Sequence, residues 1–172
     1  MTTIDELTAR VEALTARVDA AEAVLAIQDL KAHYAEVVDA RFVRGRPVAD
    51  AHMAELAAEA ASLFVEDGVW DGGPGLGVAR GRAAIAARLA APTLTFSRHL
   101  FVTPRIEVDG ATATARWELL SPCTRVDGTS LWVSGWEDDT YVRTGGGWLH
   151  ASMAFTTVFA SPAGAGWPKI LA

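Results

Sequence analysis

Residues 27–39, IQDLKAHYAEVVD, carry a phenol and a carboxylate on one short stretch. Ile27, Leu30, Tyr34 and Val38 recur at three- and four-residue steps, which predicts a helix with these side chains on one core-facing stripe. Tyr34 is thereby carried inward, where a phenol needs a hydrogen-bond partner. Asp39 follows five residues later, about 140° around the helix, so geometry alone does not pair it with Tyr34. Such a helix delivers a hydrogen-bond donor into an interior and a carboxylate to its edge. The other half of a site must come from elsewhere.

The elements that must position these groups are legible in part. Before the Tyr34 helix, Ile4, Leu7, Val11, Leu14, Val18, Ala21 and Leu25 follow a heptad pattern, which reads as an oligomerisation helix or as a helix packed along its own domain. No Gly or Pro separates the two, so they run on continuously or bend near Ala26. Gly45 and Pro47 mark a break, and a second helix is expected from about Ala49 to Phe64. A short extended piece at Val69–Asp71 ends in glycines, and a third helix after Gly81-Arg82 stops at Pro92.

From Phe96 the texture changes to strand, with Pro104 implying a bulge, edge or break. Asp109-Gly110, Val126-Asp127-Gly128 and the glycines at 145–147 are turn signals between long runs, with a bulge expected at Gly135. Three helices followed by antiparallel meander strands predict an α+β fold, a cone-shaped curved sheet wrapped around the N-terminal helices. Its open mouth and apolar interior would suit a small molecule. The expected organisation is a heptad helix over 1–25, a cone domain over 26–160, and a tail over 161–172 held by Trp167.

Composition narrows the partners. The 172 residues are 51% hydrophobic and 21% charged, with net charge −6 and scattered basic residues, which argues against nucleic acid. Cys123 is the single cysteine, so neither a disulfide nor a thiolate metal cluster is expected. The four histidines lack metal-ligand spacing, and the glycines at 72, 73 and 75 do not make a phosphate loop. No cofactor or metal is expected. No charged-then-apolar leader opens the sequence, and no run of about 18 apolar residues could span a membrane, so a cytoplasmic location is expected.

The order of these features, a helix with Tyr34 and Asp39, LFVEDGVWDGG, a short helix after Gly81, SRHLFVTPRIEVDGATATARWELL, and Trp148 on the last strand, resembles the SnoaL-like branch of the nuclear transport factor 2-like superfamily over residues 26–160. That superfamily includes scytalone dehydratase, bile acid 7α-dehydratase, hexachlorocyclohexane dehydrochlorinase, polyketide cyclases and ketosteroid isomerase, so fold fixes function poorly. The resemblance implies an Asp at the end of the first helix paired with a His on the first long strand, here Asp39 and His99, with Tyr34 matching the dehydratases' phenol. The basic residue common on the final strand is absent from WLHASM, where His150 is the available substitute. Near the middle strand, Glu118 and Cys123 are the reactive side chains.

The resulting expectation is a cofactor-independent lyase or isomerase acting on an apolar, ring-containing small molecule. His99 would be the base, Asp39 its orienting partner and Tyr34 the polar donor. A non-catalytic ligand-binding cone and a structural subunit remain as alternatives, and Asp39 with His99 could equally form a buried structural hydrogen bond. Arg98, next to His99, is expected on the opposite strand face, at the surface or the mouth. His33 and His52 are expected in solvent, and Trp70, Trp117, Trp132, Trp136 and Trp148 in core or pocket. A homo-oligomer, dimer or trimer, is the expected assembly.

Overall fold

In the computed structural model, which describes residues 3–165, the heptad segment and the Tyr34 stretch form one helix, α1 (Ile4–Ala40), without a break near Ala26. Thr3 and Glu6 make a reciprocal capping box at its start: the Thr3 hydroxyl accepts the Glu6 N–H and the Glu6 carboxylate accepts the Thr3 N–H. At its end the buried Arg41 guanidinium donates to the carbonyls of Val38 and Leu89, at 2.8 and 2.7 Å, satisfying acceptors that helix termini leave open.

A small hairpin, β1 (Phe42–Val43) with β2 (Arg46–Pro47), leads to α2 (Asp50–Ser62). Next come β3 (Phe64–Asp71), β4 (Val78–Arg80) and α3 (Arg82–Ala90). Phe64, expected as an anchor of the second helix, opens β3 instead. Sheet pairing captures it: Phe64 stands opposite His150, whose N–H donates to the Leu63 carbonyl.

The strand-rich half gives β5 (Leu94–Ser97), β6 (Leu100–Asp109), β7 (Thr112–Arg125), β8 (Ser130–Thr144) and β9 (Gly147–Pro162). The seven-stranded sheet runs β4-β3-β9-β8-β7-β5, with β6 also on β7, and is antiparallel except for β3 beside β9. Register shifts at Val102/Arg105 and Ser134/Gly135 bend its strands, the first flanking Pro104. Gly135 is required at the second: a Cβ there would lie 2.0 Å from the Thr156 carbonyl oxygen. The curved, unclosed sheet and three helices make an α+β cone. The tail expected from Ser161 begins as the end of β9 and a short 3-10 turn at Ala163–Ala165, while Trp167 lies outside the described residues.

The core-facing stripe of α1 differs from its sequence reading in one respect. Ile27, Lys31, Tyr34 and Val38 are the buried members, and Leu30 is only partly covered. Along β8, the alternation that turns Leu131, Glu137, Asp139 and Tyr141 inward leaves Trp132 and Trp136 half-buried on the other face. Trp117 and Trp148 are core, while Trp70 reaches a cavity. His33 and His52 are exposed beside Glu59 and Glu55.

Lys31 meets the inward acids of β8. Its ammonium donates to Glu137 and, at 2.7 Å, to Asp139; Tyr141 Oη–H also donates to Asp139 at 2.7 Å, and Trp117 Nε1–H donates to the Tyr141 oxygen. Burial opposes the charge of Lys31, but Asp139 and Glu137 outweigh it and hold its pKa above the usual value. Burial lifts the Asp139 carboxyl to about 6, against the pull of Lys31. His150 is fully buried beside this cluster, stacked on Phe64 at 5.0 Å, and neither ring nitrogen has a protein hydrogen-bond partner. Burial, with the Lys31 charge, drives its pKa well below 6.5.

Two outcomes follow from this layer. Lys31→Met strips the counter-charge from two buried carboxylates and is expected to cost roughly 3–5 kcal/mol in urea unfolding, partly recovered by adding Glu137→Gln and Asp139→Asn; an unchanged midpoint would show that the cluster carries no such charge. Because the folded state depresses the His150 pKa, its contribution to stability is complete above about pH 6.5 and is lost as pH falls toward the folded value. The advantage of wild type over His150→Phe should therefore fall by up to about 1.4 kcal/mol per pH unit below 6.5. Asp139 titrates in both proteins, and parallel pH profiles would contradict a neutral buried His150.

Candidate active site

The break between β5 and β6 is written into the opposite strand. Ser97 pairs with Cys123 and Leu100 with Leu120, so Arg98 and His99 face the neighbourhood of Pro122, which has no N–H to give. Arg98 N–H still donates to the Pro122 carbonyl at 3.1 Å. The next N–H, of His99, turns to the end of α1 and donates to both oxygens of the Asp39 carboxylate, at 3.0 and 3.2 Å.

Asp39 also takes the ring. Asp39 Oδ1 lies 2.7 Å from His99 Nδ1, and since an ionised carboxylate only accepts, the proton sits on Nδ1. That leaves the Nε2 lone pair as the free end of the imidazole, whose ring also stacks on Phe101 at 5.9 Å. Exposed Arg98 also reaches this carboxylate, its Nη1 3.5 Å from Asp39 Oδ2. Its exposure agrees with the surface position expected for it.

His99 lines a cavity of about 460 Å³, together with Tyr34 of α1, Trp70 of β3, Leu119 and Ser121 of β7, and Phe155 of β9. Exposed Arg125 and Asp127 form part of its rim. Trp70 Nε1–H donates to the Tyr34 oxygen at 2.9 Å, so the Tyr34 proton is not spent on Trp70. Burial, then the Glu137 charge, raises the Tyr34 pKa, which keeps it a neutral phenol able to donate.

The remaining sequence candidates separate. Cys123 lines the cavity, its thiol pushed up by burial against the influence of Arg125. Glu118 is exposed on the outer face of β7, because alternation turns its neighbours Trp117 and Leu119 inward instead. His150 does not line the cavity; it is held in the core between Phe64 and Tyr141. Glu137 was missed, yet it lines the cavity while holding Lys31. Its signal was the spacing of Glu137, Asp139 and Tyr141 on one strand face, opposite a lysine on an apolar helical stripe. Among the described residues no three His, Cys, Asp or Glu side chains converge as metal ligands, and no helix is long and apolar enough to cross a membrane.

Together these groups form an oriented imidazole and a neutral phenol in one chamber of mixed apolar and polar lining. Among solved structures, the chain is similar to a nuclear transport factor 2-like protein with a cystatin-like fold from Novosphingobium aromaticivorans, at 27% identity, with 92% of each chain covered and a TM-score of 0.64. A candidate scytalone dehydratase from the same organism shares the fold at 22% identity, covering 81% of this chain and 86% of that one, with a TM-score of 0.65. A hexachlorocyclohexane dehydrochlorinase, LinA type 2, does so at 20% identity, covering 94% and 98%, with a TM-score of 0.65. No curated protein matches. The model of the SnoaL-like domain matches residues 19–154, and the chain belongs to this SnoaL-like branch of the nuclear transport factor 2-like superfamily.

Proposed function

We propose that this protein is a cofactor-independent lyase that eliminates water or a comparable leaving group from an apolar, ring-containing small molecule. The observation that carries the reading is the 2.7 Å contact of Asp39 with His99 Nδ1, on an imidazole that lines the same cavity as Tyr34. Dehydratase and dehydrochlorinase names among proteins of the same fold support it.

In the proposed reaction, His99 Nε2 takes a proton from a carbon next to the leaving group. The C–H electron pair becomes the new C=C bond as the carbon–oxygen or carbon–halogen bond breaks. Asp39 stabilises the imidazolium that forms and keeps the ring in the productive tautomer. Tyr34 donates its proton in a hydrogen bond to a substrate oxygen that gathers negative charge. The imidazolium then returns its proton to the departing hydroxide, or to solvent when a halide leaves.

The test begins with a screen of cyclic ketones and related apolar rings bearing a hydroxyl or halide β to an activated C–H, with mass spectrometry reading loss of water or HX. For a substrate so found, His99→Ala is expected to lower kcat about 10²–10⁴-fold, with Asp39→Asn lowering it less. Tyr34→Phe is expected to cost about 10²–10³-fold. Full turnover by His99→Ala would rule out this mechanism. Binding of every hit without chemical change would assign the cavity to a ligand-binding protein.

A further inference from the structure

We infer that the N-terminal half of α1 is an assembly device: two copies of this chain pair through it as a parallel, two-stranded coiled coil. Every residue from 4 to 22 is exposed, so about 28 Å of helix stands clear of the domain. Ile4, Leu7, Val11, Leu14, Val18 and Leu25 are each at least 50% exposed along it. A helix of this length is marginal alone in water, and Val11, Val18, Thr8 and Thr15 lower its intrinsic propensity further. A capping box specifies its start nonetheless.

Among the described residues, none of the chain's own domain covers the stripe. Measured around α1 from Leu25, the domain-facing residues Ala23, Ile27, Lys31 and Tyr34 lie at about 160–240°. The remaining apolar steps stay within about 60° of Leu25, on the opposite side. Leu25 itself is 60% exposed where the helix already rests on the sheet. A second helix can therefore lie along the whole stripe with both domains outside the pair.

The occupant is written in the heptad. Ile4, Val11, Val18 and Leu25 fall at a, and Leu7, Leu14 and Ala21 at d. β-branched side chains at a with leucine at d favour two parallel strands over three. The flanking charges agree. Arg10, Arg17 and Val24 are the g residues, and Thr8, Thr15 and Glu22 the e residues. In a parallel pair, Arg17 of each copy meets Glu22 of the other. An antiparallel pair would set arginines against arginines.

Sedimentation and light scattering on the full chain at micromolar concentration should give a dimer. Leu14→Asp should raise its dissociation constant at least about 30-fold while circular dichroism of the sheet is unchanged. Arg17→Glu should weaken the dimer, and adding Glu22→Arg should restore it. Leu14→Cys should give a disulfide-linked dimer under mild oxidation, because equivalent d positions of a parallel pair adjoin; wild type, whose Cys123 is buried, should not. A wild-type monomer or trimer, a dimer that survives Leu14→Asp, or a Leu14→Cys dimer that does not cross-link would overturn the inference.

Discussion

A single carboxylate ties the sheet to the first helix where β5 gives way to β6. There the His99 N–H has left the ladder, and Asp39 at the end of α1 accepts both the main-chain and ring N–H groups of His99. Sheet and helix are joined at that point by the groups proposed to do chemistry. A buried carboxylate is costly unless it is hydrogen-bonded, so the three contacts of Asp39 with His99 stabilise the fold and fix the ring at once. Arg41, tying the ends of α1 and α3 together, holds the turn on which this depends.

Behind the cavity lies a second polar layer with the opposite logic. Lys31 sits under two carboxylates, so the cluster retains either an excess negative charge or an extra proton, and the Asp139 carboxyl, lifted to about 6, is where burial pushes that proton. Glu137 belongs both to this layer and to the cavity wall. Its charge helps keep Tyr34 protonated. The donor role proposed for Tyr34 thus draws on a charge in a neighbouring layer as well as on burial.

The legible parts of the fold were those encoded locally. Asp109-Gly110, the 126–128 turn and the 145–147 glycines announce hairpins through backbone conformations that few other residues adopt, and Gly135 announces a bulge where a side chain would not fit. Phe64 was misplaced because its strand role depends on pairing with His150, far away in sequence. Lys31, Glu137 and Asp139 escaped for the same reason: a buried lysine makes sense only once its partners are known. Tyr34 was legible as an inward phenol, but its partner Trp70 was not. Asp39 and His99 came together through family resemblance alone, since nothing in the spacing of residues 39 and 99 links a helix end to a strand break.

One helix serves three demands, and the geometry explains how they coexist. Its period lets the a and d stripe and the domain-facing stripe diverge by about half a turn, so neither apolar face competes for the other's cover. With no Gly or Pro between the stripes, the helix stays continuous from its Thr3 cap to Asp39. Whatever grips the N-terminal half therefore acts on the element that carries Lys31, Tyr34 and Asp39. Rigidity along α1 then sets where the carboxylate meets His99, and a break near Ala26 would separate assembly from the site.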